Sequence, residues 1–268
     1  LAFFIKLTLG LLGLYAALIA LFALMQGAVL FPRSLVGPAP ALPQGTDRIS
    51  LTRPDGSVLH GSVIAGQDPS KPLILAFGGN AWNADAVALF LHRIAPEHTI
   101  AAFHFRGYAP STGRPSAQAL KDDAVAIHDR VAAQGPNGVI VVGFSIGSGL
   151  AAHLSAKRPI AGAILVTPFD SLLAVAQQSL PWAPVRFLFR HEMNALVALN
   201  ASDAPIALVL ATQDEVIPPA RAEALVDGLS TATRPVAHIT RIPAGHNDIY
   251  NHPDFAPAMR DALAALGG

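Results

Sequence analysis

The sequence predicts an α/β protein, with a mostly parallel sheet covered by helices on both faces and led by an antiparallel hairpin. Three observations carry this. From Leu73 onward, short runs rich in β-branched residues alternate with segments of helical period, the pattern of parallel strands joined by crossover helices. The stretch Val139 to Leu150, VIVVGFSIGSGL, passes from strand through a glycine-flanked turn into small and apolar residues of helical type. Ahead of both, Leu7 to Met25 holds no charged residue.

In chain order, the uncharged segment runs on to Phe31 with Gln26 as its interruption. About 20 such residues span a hydrocarbon core of about 30 Å, so residues 1–31 read as a transmembrane anchor. A signal h-region is about 7–15 residues, shorter than this run. Lys6 before the helix and Arg33 and Arg48 after it leave the orientation unspecified. Residues 32–46 are proline-rich and read as a linker. Residues 47–268 form the folded domain. It opens with alternating runs, Arg48 to Arg53 and Ser57 to Ala65, around the turn Pro54-Asp55-Gly56: a β-hairpin. Strands follow at Leu73 to Phe77 and Thr99 to Phe105, with a helix between them over Asp85 to Ile94. Leu120, Ala124, Ile127 and Val131 share one helical face, which predicts a helix over Ala117 to Ala133. Beyond the central stretch, strands are expected at Gly162 to Val166, Ile206 to Ala211 and Val236 to Ile242. Helices are expected at Pro219 to Gly228 and Pro253 to Leu266.

The totals set bounds on function. The 268 residues are 52% hydrophobic and 13% charged, enough to bury a large core. Mean hydropathy is +0.44, raised by the first thirty residues. A net charge of zero supplies no basic excess to neutralise phosphates, which argues against a nucleic-acid partner. With no cysteine, disulfides, thiolate metal sites and a cysteine nucleophile are excluded. His60, His104, His153 and His191 show no metal-ligand spacing.

Chemistry in open α/β sheets gathers at the carboxyl ends of strands. There the sequence places Ser145 in Gly143-Phe144-Ser145-Ile146-Gly147, the acids of Thr212-Gln213-Asp214-Glu215, and His246 in Gly245-His246-Asn247-Asp248. A serine hydroxyl needs a base within hydrogen-bond reach; histidine supplies it, and a carboxylate fixes the tautomer. The backbone N–H of Ile146, opening a helix, points where an oxyanion would develop. Glu215 and Asp170 rival Asp214 as the acid.

The elbow resembles that of the α/β-hydrolase superfamily. Phe77-Gly78-Gly79-Asn80-Ala81, Phe105-Arg106-Gly107-Tyr108 through Gly113-Arg114-Pro115-Ser116, Asp214-Glu215-Val216-Ile217-Pro218 and Gly245-His246-Asn247-Asp248 are similar to a branch of abhydrolase-domain serine hydrolases, many with an N-terminal membrane anchor. The resemblance implies Ser145 as nucleophile, His246 as base, Asp214 as orienting acid, and an oxyanion hole from the N–H groups of Ile146 and Asn80. Many relatives have His-Gly-Asn where this chain has Gly78-Gly79-Asn80. It further implies a helical cap at about 169–200, here rich in apolar residues such as Leu180, Trp182 and Phe187. The expected activity is hydrolysis of carboxylic esters or thioesters, with lipid-like acyl groups, without metal or organic cofactor. Peptide-bond cleavage and a silent, membrane-tethered binding domain are the rival readings, and oligomeric state is left open.

Overall fold

The computed structural model of the protein describes residues 1–230 and 236–267. Helix α1 (Ala2–Leu30) is apolar on all sides and stands mostly clear of the rest of the chain. Its apolar window is wholly unburied, so it is not a core helix. Strands β1 (Asp47–Thr52) and β2 (Val58–Ile64) form the hairpin, with Asp47 opposite Val63 and Thr52 opposite Val58. Then come β3 (Leu73–Phe77), α2 (Ala84–Ile94), β4 (Ile100–Phe103), α3 (Ala117–Val131), β5 (Val139–Phe144), α4 (Ile146–Ser155) and β6 (Gly162–Val166). Three short helices follow, α5 (Leu172–Ser179), α6 (Val185–Leu188) and α7 (Ala195–Asn200). The chain closes with β7 (Ile206–Ala211), α8 (Pro219–Ser230), β8 (His238–Ile242) and α9 (Phe255–Ala265).

The strands make one sheet in the order β1-β2-β4-β3-β5-β6-β7-β8. Pairings from β4 to β8 are parallel, while β2 is antiparallel to both β1 and β4. Because successive side chains on a strand point to opposite faces, Ile74 and Ala76 pack with Ile140 and Val142 under α2 and α9. Leu73, Leu75 and Phe77 face the other way, with Val139 and Val141, under α3 and α4. Both faces are therefore dry, and each fully buried Leu, Ile or Phe contributes about 1.5–3 kcal/mol. β5 sits at the centre, buried throughout.

Local chemistry sets the helix starts. Ser116 accepts the Ala119 N–H at 3.1 Å and begins α3 at Ala117, as the sequence predicts; Asn83 accepts from Asp85 and begins α2. β4 is shorter than its apolar run because the His104 carbonyl leaves the ladder to accept from Ser111 Oγ at 2.9 Å.

Residues 32–46 and 169–200 both pack against other parts of the chain. Residues 32–46 lie against the domain: Asn83 Nδ2 donates to the Gly37 carbonyl at 3.1 Å, and Val36 and Leu42 pack on the two cores. Phe31 is fully buried and stacks edge-on against His191, 5.3 Å between centroids. The segment 169–200 folds as α5, α6 and α7, but its helix α5 packs beside α1.

The loop after β4 is held by charge. Arg106 Nη2 and Nε donate to the two oxygens of Asp123 at 2.6 and 2.9 Å, Arg53 Nε donates to Asp123 at 2.8 Å, and Arg106 also pairs with Asp55. Asp123 and Arg106 side chains are 4% and 8% exposed, so removing one partner strands a buried charge. Asp123→Ala is expected to lower unfolding free energy by about 3–5 kcal/mol, read as a reduced urea midpoint with unchanged slope; a loss within error would show the cluster to be solvated.

Candidate active site

The elbow follows from backbone sterics. Ser145 has φ 52° and ψ −120°, a conformation a non-glycine residue holds only when its surroundings impose it. They do so by proximity: a Cβ at Gly143 would lie 2.3 Å from the Gly147 carbonyl oxygen, and one at Gly147 2.2 Å from the Phe77 carbonyl oxygen. Only glycine lets β5 turn into α4 this tightly against β3. The Ser145 N–H donates to the Val166 carbonyl at 2.9 Å, and its side chain emerges above the carboxyl edge of the sheet. α4 starts at Ile146, so the Ile146 N–H falls in the first helical turn, where no intrahelical acceptor exists.

The other two loops arrive together because their strands are in register. Ala211 at the end of β7 pairs with Ile242 at the end of β8, and the Thr212 and Gln213 N–H groups donate to the Ile242 and Ala244 carbonyls at 2.9 and 3.1 Å. Asp214 and His246 thus leave adjacent strand ends side by side. His246 Nδ1 lies 2.7 Å from Asp214 Oδ2, and His246 Nε2 lies 2.9 Å from Ser145 Oγ. An ionised carboxylate only accepts, so the ring proton sits on Nδ1, and Nε2 accepts from the Ser145 hydroxyl. Asp214 and His246 are buried, 7% and 5% exposed, which keeps competing water off the imidazole.

The rival acids are otherwise engaged. Asp214 Oδ1 accepts the N–H groups of Val216 and Ile217 at 2.9 and 2.7 Å, which aims Oδ2 at the ring. Glu215 Oε2 accepts the backbone N–H of His246 at 3.0 Å, so it holds the histidine loop without touching the imidazole. Asp170 faces Arg221 at 3.3 Å.

A cavity of about 490 Å³ opens at Ser145, lined by Gly79, Asn80, Trp82, Val216, His246 and Tyr250 among others. Asn80 is there, and Tyr108 Oη donates to its carbonyl at 2.7 Å, tying the Gly-Gly-Asn turn to the charged loop below it. Burial pushes the Tyr108 hydroxyl pKa up, which keeps it a donor. Trp82, Tyr250, Phe90 and Phe144 pack as one aromatic cluster, with the Trp82 ring 5.0 Å from Tyr250 and 5.1 Å from Phe144. Burial pushes the Tyr250 pKa up to about 12.

The sequence does not single out Trp82, Val216 or Tyr250 as pocket residues. The available signal is position: each stands within four residues of Asn80, Asp214 or His246 on the same loop. No residue of 169–200 appears in the cavity's described lining; Leu172, Val175 and Phe189 of that segment pack on the core and beside α1 instead.

A parallel sheet in this order, with a strained serine elbow and a histidine and an acid meeting it from the last two strand ends, defines a hydrolase of the α/β class. The chain belongs to the alpha/beta hydrolase fold family, whose pattern it matches over residues 72–195. An uncharacterised protein of Mycobacterium tuberculosis is 30% identical over 82% of this chain and 79% of its own length. Lysophosphatidylserine lipase ABHD12 of Danio rerio is 26% identical over 73% of this chain and 59% of its own. Among solved structures, an esterase of Pyrococcus furiosus superposes with a TM-score of 0.67 at 17% identity, covering 87% of this chain and 97% of the esterase, a likeness of fold.

Proposed function

We propose that the protein is a membrane-anchored serine hydrolase that cleaves carboxylic esters or thioesters bearing lipid-like acyl groups through an acyl-enzyme. The hydrogen-bonded chain Ser145–His246–Asp214 carries this reading. Ser145 Oγ attacks the acyl carbon while its proton passes to His246 Nε2, and Asp214 stabilises the imidazolium. The Ile146 and Asn80 N–H groups hold the oxyanion. Collapse of the tetrahedral intermediate breaks the bond to the alcohol or thiol, which leaves with the proton from Nε2. Water, deprotonated by the same nitrogen, then releases the acid and restores Ser145.

Residues 1–31 are the anchor, 32–46 join it to the catalytic domain at 47–268, and 169–200 form its cap. An unburied apolar helix of 29 residues supports the anchor, and the relative named a lysophosphatidylserine lipase supports a lipid-like substrate. The aromatic wall of Trp82 and Tyr250 supports an acyl substrate, since each methylene taken from water contributes about 0.8 kcal/mol. Fluorophosphonate labelling of the full chain in detergent, followed by kcat/KM for p-nitrophenyl esters from acetyl to palmitoyl and for a matched anilide, tests the reading. Labelling with ester turnover supports it; turnover of the anilide alone rejects it.

Val216 is half exposed at the pocket wall, so its side chain can change without disturbing the core. Val216→Trp is expected to lower kcat/KM for an octanoyl ester about tenfold, as filling an apolar pocket does, while the acetyl ester is hardly affected. An equal fall for both would move the acyl site elsewhere.

A further inference from the structure

From the contacts between α1 and the cap we infer that residues 180–189 are themselves seated in the bilayer, beside the anchor, as a second membrane element. This rests on the reading of α1 as a membrane span. The Tyr15 hydroxyl donates to the Trp182 carbonyl at 3.1 Å, and the two rings meet edge-on with centroids 6.4 Å apart. A hydrocarbon core takes about 20 helical residues. Every window of that length within Ala2–Leu30 includes Tyr15, so whatever touches Tyr15 lies at hydrocarbon depth. Lower on the helix the contacts turn polar. Gln26 Nε2 donates to the Leu188 carbonyl at 3.0 Å, Gln26 Oε1 accepts the Arg190 N–H at 2.8 Å, and Arg190 Nη2 donates to the Ala23 carbonyl at 3.0 Å. This is where a headgroup layer would begin. At about 1.5 Å per residue, the contact at Tyr15 then lies roughly 12–16 Å beyond that layer, inside the hydrocarbon.

The composition and backbone of the segment suit that depth. Trp182 and Phe187 are 49% and 84% exposed, an expensive display in water and a natural one against lipid. Irregular backbone enters hydrocarbon only when its polar groups are satisfied. Here Pro181 and Pro184 have no N–H, and the N–H groups of Leu180, Ala183, Val185, Phe187 and Phe189 are bonded to the carbonyls of Ala176, Leu180, Ala183, Pro184 and Val185. Two further carbonyls, those of Trp182 and Leu188, are met by Tyr15 and Gln26. Arg186 can lay its stem along the apolar surface and carry its charge to the phosphates. Between α1 and α5 is a cavity of about 400 Å³ lined by Phe22, Met25, Val29, Leu172, Leu180 and Phe189, walls that offer water few partners and suit a lipid chain.

With no native cysteine, single positions can be labelled cleanly. Leu12→Cys, Phe187→Cys and Lys157→Cys are each coupled to an environment-sensitive fluorophore in the full chain, reconstituted in phosphatidylcholine vesicles that carry nitroxides at mid-chain. Leu12, Phe187 and Lys157 are all exposed, so none of these changes disturbs packing. Loss of emission at 12 and 187 but not at 157 is the expected result. Loss at 12 with 187 behaving like 157 overturns the second membrane element and leaves the anchor standing. No loss at 12 overturns both.

Discussion

Ser145→Ala is expected to lower kcat by about 10⁶-fold on any ester the protein turns over, because members of a triad act as one unit. It should also abolish fluorophosphonate labelling. Fold is not at risk: the Ser145 side chain contributes one hydrogen bond, to His246, and the glycines on either side impose the turn. Thermal midpoints of the two proteins should therefore agree. His246→Ala should fall about as far, and the double variant scarcely further, since a hydroxyl without its base and a base without its hydroxyl are equally idle. Persistent labelling of the Ser145→Ala protein would take the nucleophile's role from this residue.

Asp214→Asn should reduce kcat by about 10⁴-fold while the protein stays folded. Asp214 Oδ1 accepts two backbone N–H groups, from Val216 and Ile217, so an asparagine oxygen is drawn to that side and its NH₂ group turned toward His246 Nδ1. Two donors then face each other. The ring must put its proton on Nε2, and it can no longer accept from Ser145. Glu215→Gln is the informative companion: its amide oxygen still accepts the His246 N–H, and the expected cost is about tenfold or less. If the two variants exchanged their effects, Glu215 would be the acid that orients the imidazole.

The succession of strands and helices along the chain, the elbow and the three loops were legible because each is written locally. β3 and β6 coincide with their apolar runs to the residue, and the hairpin turn at Pro54-Asp55-Gly56 lies where its chemistry puts it. The close approach of Gly147 to the Phe77 carbonyl was less so, since no window along the chain contains both. Sequence left the choice among Asp214, Glu215 and Asp170 open for the same reason. Geometry then distinguishes them: the Asx-type turn at Val216 and Ile217 aims one Asp214 oxygen at the ring. The pocket wall was hidden because Trp82 and Tyr250 meet from two loops at opposite ends of the domain's sequence. The cap's apolar residues were visible, but their partner, a helix more than a hundred residues upstream, was not.

Phe31 ties the long apolar helix α1 into the folded domain. Its ring is 2% exposed and lies in the same core as Leu75 and Val141, while the neighbouring Gln26 is sealed against Leu188. Emptying such a site costs about 3–5 kcal/mol when a single phenylalanine is cut back to alanine. Severing the chain at this point would open the hydrophobic interior from below, so a soluble version that keeps its stability has to begin upstream of Gln26.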